Sequence, residues 1–367
     1  MVTYTVLLNV VLAGFVLFLV KRLFDRKASA PMPPGPKGLP IIGNLFDLPR
    51  KDEYTVFGEW HKKYGPISSA TVFGRSLIVL NTPKVATEML AKKANIYSDR
   101  PYFTMAGDLV GWKDVIVLLP YKARFKAYRK MMHQVLGSRA NILKFREHIE
   151  SETQKAMRRL LDEPENFVGV VRKAIGYIVL LVTYGYKCTS EHDPIVRVAD
   201  EATTQLGILL AAGGFLVDRL PFLRHVPDWV PGARFKALAR EWRRCLYSLT
   251  NWTYDYTLAQ MSAGTSSPNF VANLLESGPR SDEEKRNIRW AASSLYSGGA
   301  DTPVSTLSVF FLAMAKYPEA VKKAQAEIDA VIGNDRLPTF EDRDKLPYVN
   351  ALAKEVIRWG PTAPLGP

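Results

Sequence analysis

Only two of the 367 residues are cysteine, Cys188 and Cys245. Two are too few for a disulfide framework or for a metal site built from cysteine alone. The five histidines, His61, His133, His148, His192 and His225, include no pair three to five residues apart, which excludes an HExxH zinc helix. Neither a GxSxG nucleophile elbow nor a phosphate-binding GxxxxGK[ST] loop occurs, so the simplest hydrolase and nucleotidase readings fall away. Acid is in short supply: 36 Asp and Glu face 49 Lys and Arg, a formal net charge of +13. That surplus suits an acidic partner or an anionic membrane. It does not indicate nucleic acid, because no recognised module and no basic patch interleaved with stacking aromatics accompanies it. A 47% hydrophobic composition supplies a sizeable core, in one large domain or two ordinary ones.

What is present begins with an uncharged run from Met1 to Val20, followed at once by Lys21, Arg22, Arg26 and Lys27. Twenty helical residues span about 30 Å, the hydrocarbon thickness of a bilayer. The basic flank predicts a transmembrane anchor over 1–22 with the body on the cytosolic side. The competing reading is a cleaved secretory signal. Ala28-Ser29-Ala30 favours it, while the absence of Lys or Arg before the apolar run counts against it. Residues 23–50 form a basic, proline-rich hinge, with four prolines between Pro31 and Pro36 imposing an extended path. A domain over 51–367 follows.

Ile67 to Leu80 reads as a hairpin turning at Phe73-Gly74-Arg75. From Pro83 onward the pattern is helical, near 84–92, 122–136, 140–160, 167–186, 195–213, 233–261, 283–316, 319–332 and 347–359. The expected fold is mainly α with a small β portion.

Three stretches carry candidate chemistry. The helix over 122–136 has five cations, Lys122, Arg124, Lys126, Arg129 and Lys130, and no acid. Its Phe125 and Arg129 are four apart and share a face. An aromatic beside a cation suits a carboxylate on a flat cofactor, and a plain solvated face is the alternative. Between Arg289 and Lys316 lies a nearly apolar stretch with Asp301 as its one charge. At its middle stands Gly298-Gly299-Ala300-Asp301-Thr302-Pro303. Proline leaves the Gly299 carbonyl without its helical donor, and the glycines let a flat group approach the backbone. A buried Asp301 beside the Thr302 hydroxyl could relay protons; an ordinary kink is the alternative. On the helix over 347–359, Glu355 and Arg358 are three apart and can pair, although Glu241–Arg244 and Glu283–Arg286 match the same ExxR spacing.

Taken in order, these features resemble the membrane-bound, fungal-type cytochromes P-450. The residues that carry the resemblance are the apolar start, Pro33-Pro34-Gly35-Pro36, Gly38 to Asn44, Phe125 to Arg129, Gly298 to Thr302, Leu346 to Leu352, and Lys354 to Arg358 before a proline-rich turn. The resemblance covers essentially the whole chain and implies a haem-dependent monooxygenase that oxidises an apolar small molecule. Electrons would come from an NADPH-dependent reductase, and the location would be the endoplasmic reticulum membrane. It implies that Asp301 and Thr302 supply protons for oxygen activation, that Gly298 and Gly299 line the haem, and that Phe125 and Arg129 hold a haem propionate. Glu355 and Arg358 would form a structural ion pair, and Ala363, Pro364 and Leu365 would line the substrate pocket. Leu216 to Pro231 would roof a substrate channel that dips toward the membrane.

Three departures stand out. Phe125 replaces the family's usual Trp, and Pro303 its usual Thr or Ser. The chain also ends at Pro367, ahead of the family's haem-ligand cysteine loop. The expectation is therefore a truncated chain with no metal ligand of its own, inactive as written, or else a non-catalytic, membrane-anchored helical remnant of such an enzyme.

Overall fold

The computed structural model describes residues 14, 31–40, 42–49, 52–188, 193–210, 214–363 and 365. The expected anchor over 1–22 (Gly14 aside) and Pro364 lie outside the described residues. Two compact units divide at Lys92–Lys93.

In the first unit, strands β1 (Ile67–Val72) and β2 (Arg75–Leu80) pair antiparallel with Val72 opposite Arg75. Phe73 and Gly74 both take positive φ, 48° and 78°, which is the two-residue turn whose twist matches the strands. Helix α1 (Glu53–Tyr64) buries Phe57 and Trp60, whose rings meet edge-on at 5.1 Å. The proline-rich segment is stitched to β1. The Ser69 amide donates to the Pro34 carbonyl (2.9 Å), and its hydroxyl to that of Pro33 (2.6 Å). Further on, Asn44 exchanges bonds with Thr71: N–H to Thr71 O at 2.6 Å, and Thr71 N–H to Asn44 Oδ1 at 2.9 Å.

Gly35 is required by this approach, because a Cβ there would lie 1.8 Å from the Ser69 carbonyl oxygen, an immovable backbone atom. Gly35→Ala should therefore peel the segment from β1 at a cost of roughly 2–3 kcal/mol. Amide exchange at Ser69 should speed up by about 30- to 150-fold. Unchanged protection at Ser69 would refute this.

The second unit is helical: α2 (Ala123–Leu136), α3 (Arg146–Asp162), α4 (Phe167–Tyr184), α5 (Pro194–Leu210), α6 (Arg234–Ser262), α7 (Phe270–Glu276), α8 (Asp282–Gly299), α9 (Thr302–Lys316), α10 (Pro318–Val331) and α11 (Pro347–Trp359). Local chemistry sets the boundaries. Ser281 and Glu284 form a reciprocal capping box at the start of α8, with Asp282, Glu283 and Glu284 complementing its dipole. Asn269 caps α7 through the Ala272 amide, and Gly185 ends α4 in the left-handed region at φ 70°. The core is built around Trp112, Tyr128, Leu180, Leu246, Phe270 and Tyr296, all essentially inaccessible.

Among the described residues, Pro164–Tyr184 is the one helix long and apolar enough to cross a membrane, with mean hydropathy 1.6. Half of that window is buried within the chain, and Val170, Ala174, Tyr177, Leu180, Leu181 and Tyr184 face inward. Its packing is that of a core helix.

The stretch expected as one helix over 283–316 is two. α8 ends at Gly299, Ala300 and Asp301 form a turn, and Pro303 occupies the first turn of α9. Proline is tolerated there because first-turn N–H groups need no intrahelical acceptor, so the break forms where the proline demands it. The two halves differ in burial. α8 buries Ile288, Trp290, Ala291, Ala292, Ser293, Ser294 and Tyr296, whereas α9 buries only Val304 and Ala313.

Candidate active site

The break between α8 and α9 gathers the distal candidates. Thr302 Oγ1 donates to the Gly298 carbonyl at 2.9 Å, bridging the interruption that Pro303 creates. A Cβ at Gly298 would meet nothing within 4 Å, so there is open space beside this turn. At Gly299 the nearest atoms are the Val179 methyls on α4, at 3.4 and 3.5 Å, an ordinary helix contact. The proline-rich turn after α11 docks on the same spot. Thr362 Oγ1 lies 3.2 Å from Thr306 Oγ1 and donates to the Thr302 carbonyl at 3.4 Å. Gly360 backs onto Val309 so closely that a Cβ would fall 2.5 Å from Val309 Cγ1. Ala363, exposed, and Leu365, half-buried, therefore belong to a turn tied to Thr302, although the sequence patterns lie some 60 residues apart.

Asp301 differs from the expectation of a buried lone charge. Its carboxylate is about half exposed and pairs with Arg172 of α4 at 2.8 Å. Arg172 and Lys173 are the only charges in α4, so an arginine on an otherwise apolar helix was the available signal. Asp200 of α5 completes the cluster. Burial pushes its carboxyl above the usual range; Arg172 opposes that shift and Asp301 adds to it. Burial likewise raises the neighbouring Tyr296 hydroxyl, and its oxygen has no hydrogen-bond partner. Sequence reading missed Arg172, Asp200 and Thr362.

On α2, Phe125 is half-buried, packs against the core and stacks at a tilt on Tyr121, with centroids 5.4 Å apart. Arg129 is exposed, and among the described residues it has no ion-pair partner. α2 is held to α8 by a charge cluster centred on the buried Asp114 that sequence reading also missed. Asp114 accepts hydrogen bonds from Arg124 of α2 and from Arg286 of α8 (2.8 Å), and Arg124 Nε donates to Asn287 Oδ1 at 2.9 Å. Burial lifts the Tyr128 hydroxyl to about 12.

Glu355 and Arg358 form the expected pair, two parallel bonds of 2.7 and 2.6 Å. The guanidinium holds the carboxyl below its ordinary range, and both side chains are exposed. The two cysteines lie elsewhere. Cys245 Sγ donates to the Val198 carbonyl at 3.5 Å, and Cys188 is half-buried after α4.

Residues 33–367 match the family model for cytochrome P-450. The chain belongs to the cytochrome P-450 family. It is 48% identical over 358 residues to cytochrome P-450 monooxygenase 208 of Postia placenta, covering 96% of this chain and 70% of that protein. Identity is 40% over 359 residues to cytochrome P-450 monooxygenase claR of Ampulloclitocybe clavipes, covering 98% and 66%. It is 38% over 361 residues to cytochrome P-450 monooxygenase ppsD of Aspergillus oryzae, covering 97% and 68%. The chain thus spans about two thirds of the length of these fungal relatives. The mainly helical fold is that of a P-450, an oxidoreductase family that uses haem iron, works with a redox partner and takes hydrophobic substrates.

The residues present fit the haem on two counts: open space flanks Gly298 beside the Thr302 hydroxyl, and Arg129, exposed and without an ion-pair partner among the described residues, suits a propionate. They do not supply its axial thiolate. Burial raises Cys188 to about 12 and Cys245 to about 11, the opposite of what a thiolate ligand needs.

Proposed function

We propose that this chain forms the distal half of a haem-dependent monooxygenase site acting on an apolar small molecule, with Thr302 and Asp301 managing protons. The observation that carries the reading is the Thr302 Oγ1 bond to Gly298 O at the broken turn, next to open space. Haem, when bound, supplies the oxygen activation. Thr302 spends its hydroxyl proton on the Gly298 carbonyl, so its oxygen lone pairs are left to accept a hydrogen bond from a guest in that space. Asp301, half exposed and tethered to Arg172, can exchange protons with water while its carboxylate is held in place. Arg129 would hold a propionate, and Phe125 would pack against the macrocycle edge without the N–H that a Trp offers. Ala363 and Leu365, on the turn bound to Thr302 through Thr362, would face the substrate. The Glu355–Arg358 pair would brace α11 beneath that turn.

A single N-terminal membrane anchor, an NADPH-dependent reductase as electron donor and the endoplasmic reticulum as location complete the proposal. The uncharged run to Val20 and its basic flank support the anchor.

In a chain completed with a C-terminal segment that carries the family's haem-ligand cysteine loop and loaded with haem, Thr302→Ala should lower product formed per NADPH consumed by about tenfold, with peroxide taking up the difference. Thr302→Ser should restore coupling. Coupling unchanged in both Thr302→Ala and Asp301→Asn would remove the pair from the proton path.

A further inference from the structure

Between α2 and α3 the chain makes a short helical turn, Arg139–Ile142, which lies against the turn Phe340–Lys345 leading into α11. Each of these two walls is fixed by bonds of its own. On one side Ser138 Oγ accepts from the Asn141 amide at 3.2 Å, and Asn141 Nδ2 donates to the Gln134 carbonyl at 2.9 Å. On the other, the Phe340 amide donates to Glu150 Oε1 at 2.9 Å, and Arg336 grips the buried Asp342 through bonds of 2.6 and 2.9 Å. Asn350 Nδ2 donates to the Arg343 and Leu346 carbonyls.

The walls bound a recess of about 450 Å³. That lies within the range of roughly 300–1,000 Å³ typical of small-molecule sites. Leu136, Ile142 and Phe340 give it an apolar floor, and Ile142 is left 39% exposed. Arg139, Arg343 and Asp344 supply its charge. Arg139 reaches across to Asp344 with Nη1 alone (2.8 and 3.1 Å), so its Nε and Nη2 donors remain free. Arg343 is exposed and has no ion-pair partner among the described residues. The recess therefore carries one uncompensated positive charge.

The guest that such a recess takes follows from what each alternative leaves unmet. A neutral apolar molecule covers Ile142 and Phe340 but strips water from Arg343 without offering a counter-charge. An inorganic anion answers the arginine and leaves the floor wet. A cation meets the surplus charge. A molecule with an apolar body and one carboxylate meets both needs, because guanidinium and carboxylate pair in a planar, two-pronged geometry. The Arg139–Asp344 bridge ties the two walls together at the recess, which suits a small guest better than an extended peptide. Because the walls are held independently of any guest, little ordering has to accompany binding.

We propose that this recess is a binding site for an amphipathic monocarboxylate. Arg343 and the free donors of Arg139 hold the carboxylate, and the apolar body lies on Leu136, Ile142 and Phe340. The recess shares no residue with the turn at Gly298–Thr302, and the proposal is independent of the haem reading.

The test probe is 4-(4-fluorophenyl)butyrate, followed by fluorine NMR. The full chain is held in phosphatidylcholine nanodiscs and read against empty nanodiscs. A ligand of about 13 non-hydrogen atoms should bind with a Kd of about 0.3–2 mM. Arg343→Gln should weaken binding about tenfold, and Arg343→Lys about two- to fourfold, since the charge stays while the fork is lost. Ile142→Trp, which fills the floor, should abolish it. Both positions are exposed, so all three variants should keep the parent's thermal midpoint. The uncharged 4-(4-fluorophenyl)butanamide should bind at least about fivefold more weakly than the acid. Equal affinity for acid and amide overturns the proposal. So does an acid affinity that survives either Arg343→Gln or Ile142→Trp, which would seat the probe elsewhere on the chain. Absence of binding up to about 20 mM overturns it as well.

Discussion

Asp114→Ala should cost about 3–5 kcal/mol of stability, the penalty typical of removing one partner from a buried ion cluster. Asp114 is 5% exposed and holds Arg124 and Arg286 from two different helices. Its loss strands Arg124, whose Nη2 is already buried without a partner. The expected drop in melting temperature is roughly 6–15 °C for a unit of this size. The companion variant should behave differently. Arg286 is more than half exposed, so Arg286→Ala should cost about 1 kcal/mol or less, because water replaces the guanidinium. The asymmetry between the two ends of one bridge is the sensitive measurement. If both variants melt within a degree of the parent, the cluster does not hold α2 to α8.

This cluster also shows where sequence reading stops. Asp114 ends a single 3-10 turn, Trp112–Asp114, too short to show periodicity, and its partners are 10 and 172 residues away. Nothing in the local pattern separates it from a solvated acid. Features that rest on local chemistry were legible. The hairpin over 67–80 follows from alternation and a Gly turn. The break near Pro303 follows from a missing N–H, and the Glu355–Arg358 pair from its spacing. Two helices escaped notice for a related reason. α1 has only Phe57 and Trp60 buried, and the seven-residue α7 lies in a stretch whose Ser, Gly and Pro read as punctuation.

The candidate site divides in the same way. Gly298 and Thr302 are joined by a bond four residues long and could be read from the motif. Arg172, Asp200 and Thr362 reach the same place from three other helices or turns, and long-range packing alone brings them there. The expectation that Asp301 was a lone buried charge failed because its partner, Arg172, lies 129 residues away on an apolar helix, where nothing in the local pattern marks it. The order of motifs along the chain carried the family reading, since no motif by itself is specific, as the three ExxR copies show for one of them.

The second large effect concerns the thiolate. Expressed as these 367 residues, reduced and exposed to carbon monoxide, the chain should show no red-shifted Soret band of the thiolate-ligated kind. The argument rests on its two cysteines. An iron-bound thiolate is favoured where the surroundings lower the thiol pKa. At Cys188 burial pushes the thiol up to about 12, and the carboxylates Asp193 and Glu152 add to the shift. At Cys245 burial lifts it to about 11, Glu201 contributes, and the proton is held on the Val198 carbonyl. At pH 7 the free thiolate fraction is then only about one in 10⁴ to 10⁵. Neither residue lies on α8, α9 or the turn bonded to Thr302, where the distal candidates gather. Cys188→Ser and Cys245→Ser should therefore leave the absorption spectrum as it is, singly and together. A thiolate band that disappeared in one of them would identify that cysteine as the iron ligand. It would also place the haem away from Gly298 and Thr302, and the proton-handling role assigned to that turn would fall with it.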